Sequence, residues 1–213
     1  MTVSADQRII GCLMAAVGLL VTLLCTLHGS ANSVTPEFQC DFDEDMDPFC
    51  GFRQSTDDNF NWTRNNGSTP SRDTGPQHDH TTGAGYYIFI EASMKGPGYK
   101  ASMISPSFIS LNIPRCLRFA YHMYGRTVGT LQISSQNEGN STRSKVMWSL
   151  TGDQGDQWHV ASQTVPAETT RFVIEGVRGS GALGDIAVDD ITLTPGYCGS
   201  DIRDGHYNDQ LSM

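Results

Sequence analysis

Positive charge is scarce in this chain. Fourteen Lys and Arg face 23 Asp and Glu over 213 residues, a formal net charge of −9 at pH 7. Such a balance argues against binding nucleic acid or anionic lipid and favours basic partners or cations. Helical periodicity is nearly absent after residue 32, which leaves an all-β reading. After one N-terminal apolar run, no second stretch of bilayer-spanning length follows. Two hydrolase signatures, His-Glu-x-x-His and Gly-x-Ser-x-Gly, are missing, and no internal repeat is present.

What is there begins with that apolar run. Ile9 to Leu27 carries no charge, is preceded by Arg8 and leads into Gly29-Ser30-Ala31. A charged start, an apolar stretch and a small-x-small end describe a secretory signal peptide over residues 1–31, cleaved after Ala31. The run is just long enough to span a bilayer, so an uncleaved signal anchor, apolar over 9–27, is the competing reading. Gly11, Gly18 and Thr22 dilute it and Asp6 offsets Arg8, which favours cleavage. Either way the remainder is delivered outside the cytosol. Cleaved, it is secreted and extracellular; uncleaved, it is a type II single-pass membrane protein with the domain outside. About 180 residues then remain, enough for one domain with a sizeable core, and they keep the net charge of −9.

Cys12 and Cys25 lie inside the leader, whereas Cys40, Cys50, Cys116 and Cys198 form an even exported set that suits two disulfides. Four cysteines allow three pairings, and spacing does not choose among them. Three Asn-x-Ser/Thr sequons, at Asn61, Asn66 and Asn140, agree with export.

Short alternating runs fill the remainder, among them Tyr86–Glu91, Arg115–Met123, Thr130–Ile133, Lys145–Leu150, Gln157–Val160, Arg171–Val177 and Gly184–Thr194. Leu117, Phe119, Tyr121 and Met123 share a face that reads as core, with Arg118 and His122 on the other. Polar turns rich in Gly, Asn, Ser and Pro separate these runs, and the 22 glycines supply positive φ where such turns need it. The pattern predicts an antiparallel sandwich. The end, 200–213, reads as a flexible polar tail.

The order of motifs is specific. Cys40-Asp41-Phe42-Asp43 is followed by Cys50-Gly51-Phe52-Arg53-Gln54, then Asp57-Asp58-Asn59-Phe60-Asn61-Trp62 and Thr74-Gly75-Pro76-Gln77-His78-Asp79-His80-Thr81. Gly85-Tyr86-Tyr87, Ser105-Pro106, the segment Cys116–Gly125 and Gly184-Asp185-Ile186-Ala187-Val188-Asp189-Asp190-Ile191 lead on to Cys198. Over 38–199 the chain resembles the MAM domain, the module named for meprins, the A5 neuropilin antigen and receptor phosphatase mu. The resemblance implies a jelly-roll β-sandwich and an extracellular role in adhesion and in oligomerising cell-surface proteins. It also implies the pairing Cys40–Cys50 and Cys116–Cys198. Asp43, Asp79 and Asp190 match the family's acidic positions and become candidate ligands for a structural Ca2+, with Asp45 and Asp73 as further candidates. Two departures stand out: Phe52 replaces the family's usual Trp, and Asp43 stands where Glu is commoner.

The residues themselves carry some of this chemistry. Asp189 and Asp190 interrupt the apolar run Ile186–Leu193, and neighbouring strand residues point to opposite faces. One carboxylate then points inward and needs a cation or several hydrogen bonds. Asp41, Asp43, Asp45 and Asp47 alternate as in a calcium loop, but Pro48 stands where an EF-hand needs Gly. His78-Asp79-His80 lacks further partners for a closed zinc site and reads as a turn, with one His capping a neighbouring loop. Gly179–Gly184 has the letters of a dinucleotide loop, but a strand-like segment follows where a helix is required. Glu91, Glu175 and the aspartates bracket no cleft as a glycosidase pair would. Trp62, Trp148 and Trp158 read as core or strand-pair aromatics. The expectation is therefore a non-enzymatic recognition module contacting proteins of the cell surface or matrix, itself included, with a carbohydrate-binding jelly roll as the alternative.

Overall fold

The computed structural model describes residues 35–109, 112–136 and 145–199, together with the backbone of 11–17 and 20–26. The chain divides into two units, Met1–Val34 and Thr35–Met213. In the first, β1 (Gly11–Val17) pairs antiparallel with β2 (Leu20–Thr26). Among the described residues no helix is long and apolar enough to cross a membrane.

The second unit is a two-layer β-sandwich. Its strands are β3 (Phe38–Cys40), β4 (Arg53–Gln54), β5 (Thr63–Asn65), β6 (Tyr87–Ile90), β7 (Lys100–Ile104) and β8 (Arg115–Met123). They continue as β9 (Thr130–Gln136), β10 (Lys145–Thr151), β11 (His159–Val165), β12 (Arg171–Val177) and β13 (Ile186–Pro195). One layer runs β10-β9-β12-β7-β4 and the other β11-β8-β13-β6-β5, with β3 on β13. All of these pairings are antiparallel.

Alternation builds the core between the layers. Leu117, Phe119 and Met123 of β8 meet Leu131 and Ile133 of β9, Phe172 and Ile174 of β12, and Ile186, Val188, Ile191 and Leu193 of β13. Tyr121 is half-buried and packs against the same core. Phe52 is an aromatic core residue, edge-on to Phe38 and Phe172 at centroid distances of 5.7 Å. Cys40 bonds Cys50, and Cys116 bonds Cys198, tying β8 to the segment after β13.

Around β6 and the first half of β13 the six-stranded layer is buried on both faces. Ile88 and Ile90 of β6 point into the core, while Tyr87 and Phe89 join Ala187 and Trp158 in a second apolar cluster. His122 differs from Arg118 for this reason. Both lie on the outer face of β8, yet Arg118 is exposed and His122 is 2% exposed.

Candidate functional site

The loop 78–86 crosses the outer face of the six-stranded layer where β13 is irregular. Register between β13 and β8 shifts between Asp189 and Thr192, and Asp190 takes a φ of 46°. This is a β-bulge, and its extra residue lets Val188 and Ile191 both face the core. Asp189 is 2% exposed. Its Oδ2 accepts the His80 N–H at 2.9 Å and its Oδ1 the Asp190 N–H at 2.8 Å. Burial pushes this carboxyl up to about 8; the His80 N–H opposes the shift, and Asp190 adds repulsion. Of the two compensations expected for the inward carboxylate, a cation or several hydrogen bonds, main-chain donors supply two hydrogen bonds. Asp190 Oδ2 receives the Thr81 hydroxyl and stands 2.6 Å from His80 Nδ1.

Asp79 and Asp43 approach the same loop. Asp79 accepts N–H groups from Thr82 at 2.7 Å, Gly85 at 3.0 Å and Thr81 at 3.2 Å, and the Thr82 hydroxyl at 2.9 Å. Burial raises its carboxyl, but these donors outweigh it and hold the group below the usual range. Asp43 Oδ1 accepts the Tyr86 N–H at 2.6 Å. Its carboxylate lies against Gly85, where an added Cβ would stand 2.7 Å from Oδ1, so that close approach requires glycine. Three of the five sequence candidates therefore gather on one loop. Asp45 instead pairs with Arg64 at 3.1 Å. Asp73 lines a separate cavity of about 290 Å³ with Thr69, Ser71, Thr74 and Tyr124.

These carboxylates do not form a coordination sphere as they stand. Both oxygens of Asp79, Oδ1 of Asp43 and Oδ2 of Asp190 already accept protein donors, whereas Ca2+ takes six to eight oxygens. Among the described residues, no group of three or more His, Cys, Asp or Glu side chains is arranged to hold a metal.

Arg64 and Trp158 organise the surroundings. Arg64 Nε donates to Phe42 O at 2.7 Å, and its guanidinium lies 3.4 Å from the Tyr86 ring centroid. Trp158 donates to His78 O at 3.0 Å and packs edge-on against His80, Tyr87 and His122. The His78 and His80 rings take different partners, Asp79 O and Asp190. His122 Nε2 is 3.3 Å from Asp156 Oδ1. Burial pushes His122 down to about 4, against the upward pull of Asp156. The pattern Asp79-x-Thr81-Thr82 carried an Asx-turn signal in the sequence. Nothing local marked Arg64 or His122.

Two ends of the sandwich differ. Asn61 and Asn66 are exposed and flank β5, the last strand of its layer; Asn140 lies outside the described residues. Gln54 bonds both the N–H and the C=O of Trp62, so β4 ends the facing layer on that same side. β10 and β11 end the two layers on the other side and touch across the sandwich. There Val146 and Val160 are 50% and 44% exposed.

A family profile described as "MAM domain, meprin/A5/mu" matches residues 40–199. Among curated proteins, MAM domain-containing glycosylphosphatidylinositol anchor protein 1 of Rattus norvegicus is 40% identical over 166 residues, covering 75% of this chain and 17% of the relative. MAM domain-containing protein 2 of Homo sapiens is 35% identical over 189 residues, covering 88% of this chain and 27% of the relative. The chain thus spans 17–27% of the length of these relatives. Among solved structures, the K1 cleaved adhesin domain of Lys-gingipain from Porphyromonas gingivalis W83 aligns with a TM-score of 0.54 at 12% identity, covering 74% of this chain and 96% of that one. The K2 domain of the same protein gives 0.54 at 14% identity, over 74% of this chain and 98% of that one. At such identities the likeness concerns the fold.

Proposed function

The chain belongs to the MAM domain family, and from that premise we propose that it is an extracellular, non-enzymatic recognition module for protein–protein adhesion or oligomerisation. One observation carries the reading: the strands β10 and β11 end their layers on the side away from Asn61 and Asn66, two of the three sequons. Glycans on Asn61 and Asn66 would shield the β5 edge. An open edge offers unpaired N–H and C=O groups to a docking chain. The net charge of −9 suits a partner with a basic face. A relative named as a glycosylphosphatidylinositol anchor protein supports a cell-surface setting.

Carbohydrate binding is the weaker alternative. The outer face of the five-stranded layer carries the cross-strand row Ser102, Glu175, Gln132 and Ser149, which has no ring on which a sugar could stack. Trp62 is buried, and Trp148 and Trp158 pack against neighbouring rings. Calcium at Asp43, Asp79 and Asp190 belongs to the proposal only as an ion that displaces N–H donors of the loop 78–86. A calcium titration by calorimetry with a chelator control should then give binding heat and a rise in Tm; no heat and an unchanged Tm end that part.

Beads coated with the glycosylated chain test the function. They should cluster or bind cells, and protease treatment of the target surface should abolish capture while glycosidase treatment spares it. The reverse sensitivity would overturn the protein reading.

A further inference from the structure

We propose that Glu91 and Asp185 form a site for a hard divalent cation of the Ca2+ class, separate from Asp43, Asp79 and Asp190. Glu91 follows β6 and Asp185 precedes β13, so the pair joins two strand ends beneath the loop 69–74. Asp185 is 0% exposed. Each carboxylate has one oxygen in use and one bare. Asp185 Oδ1 accepts the Ala92 N–H at 2.8 Å. Glu91 Oε1 accepts the Ser93 N–H at 3.0 Å and the Ser71 hydroxyl at 3.1 Å. Asp185 Oδ2 and Glu91 Oε2 are buried with no hydrogen-bond partner.

Bare anionic oxygens away from water are costly and demand a counterpart. The neighbouring hydroxyls do not supply it, because each has a single proton to give. Thr69 stands within hydrogen-bonding reach of Asp185 and opposes the rise that burial gives its carboxyl, but its one proton is directed to Thr74 O at 3.0 Å, so it is at most a shared donor to Asp185. Ser71 donates to Glu91 Oε1, and Thr74 donates to Tyr124 O at 2.8 Å. What these side chains have left to offer is lone pairs. Arg178 does not neutralise the pair either: its Nε and Nη1 go to the carbonyls of Ala92 and Gly179 at 2.9 and 3.2 Å. Among the described residues no ion pair involves Glu91 or Asp185. Carboxylate and hydroxyl oxygens, short of donors, are the ligands a hard cation takes. The carboxylates on the loop 78–86 differ in this respect, since donors already occupy them.

The full glycosylated chain crystallised with Tb3+ or Ca2+ tests the site directly. An anomalous peak should lie between Asp185 Oδ2 and Glu91 Oε2, about 2.3–2.6 Å from each. A water without anomalous signal, or a proton-sharing contact between the two oxygens, would overturn the proposal. In calorimetry with Ca2+, Glu91→Gln should weaken one binding event by about tenfold or more, while Asp79→Asn leaves that event intact. Binding abolished by Asp79→Asn and untouched by Glu91→Gln would assign the ion to the loop 78–86 and end the proposal. Should Glu91→Gln not fold, diffraction from the unaltered chain still decides.

Discussion

His80 Nδ1 stands 2.6 Å from Asp190 Oδ2. The same residue's N–H reaches Asp189, so one loop residue holds both carboxylates of the β13 bulge. Substitution separates the two roles. His80→Ala keeps the main-chain bond to Asp189 and removes the ring's contacts with Asp190 and Trp158, which should cost about 1 kcal/mol. Asp189→Ala strands two half-buried N–H donors and should cost about 2–3 kcal/mol. Urea denaturation measures both, and equal losses would contradict this division.

His122 makes stability pH-dependent. Its pKa falls from 6.5 to about 4 on folding, through burial, with Asp156 opposing and His159 and His78 adding repulsion. Between those values the unfolded chain binds a proton that the folded chain refuses. Stability from this group is therefore present above pH 6.5 and lost as pH falls toward 4. The loss is at most about 3 kcal/mol. His122→Gln should flatten the fall in Tm over that window relative to the unaltered chain. Parallel curves would show that the imidazole is not responsible.

The two disulfides should differ in worth. Cys40 and Cys50 are 10 residues apart, Cys116 and Cys198 82. In the chain-entropy model the long loop contributes about 4.5 kcal/mol and the short one about 2.7 kcal/mol. Cys116→Ser should lower Tm more than Cys50→Ser; similar losses would point to native-state effects instead.

The legible and the hidden parts separate by range. Alternation in Arg115–Met123 showed which side of β8 builds the core, because a strand's period is local. The Asp189-Asp190 pair flagged an anomaly, but not that a bulge would absorb it, since register depends on β8. Alternation places His122 on the outer face of β8 but does not show that it is covered there, because its cover, Trp158, comes from a segment distant in sequence. Asp43, Asp79 and Asp190 were named together and do meet on one loop. Asp45 was drawn off by Arg64 and Asp73 by its own turn, neither of which spacing reveals. Nothing in the sequence marks Glu91 as a ligand, and its bare oxygen shows only in three dimensions.

Gly129 and Gly67 make a matched pair for packing. A Cβ on Gly129 would stand 1.9 Å from Val177 O and 2.6 Å from Gly179 N, both main-chain atoms. Gly129→Ala should cost about 3 kcal/mol. Gly67 has nothing within 4 Å of its Cβ position, so Gly67→Ala should change stability by less than about 0.5 kcal/mol. Thermal unfolding of the two variants distinguishes them; equal Tm values would contradict the close backbone crossing.

The most direct test places a glycan on the open edge. Ser149→Asn on β10 and Ser162→Asn on β11 complete Asn-x-Thr sequons with Thr151 and Thr164, and both serines are exposed. Occupancy is verified by mass shift, and adhesion of coated beads is then measured beside variants that remove the two natural sequons flanking β5, Thr63→Ala and Ser68→Ala. Adhesion should be lost with a glycan at either new position and kept when the natural ones are removed. Undiminished adhesion with the new sites fully occupied would show that contact is made elsewhere.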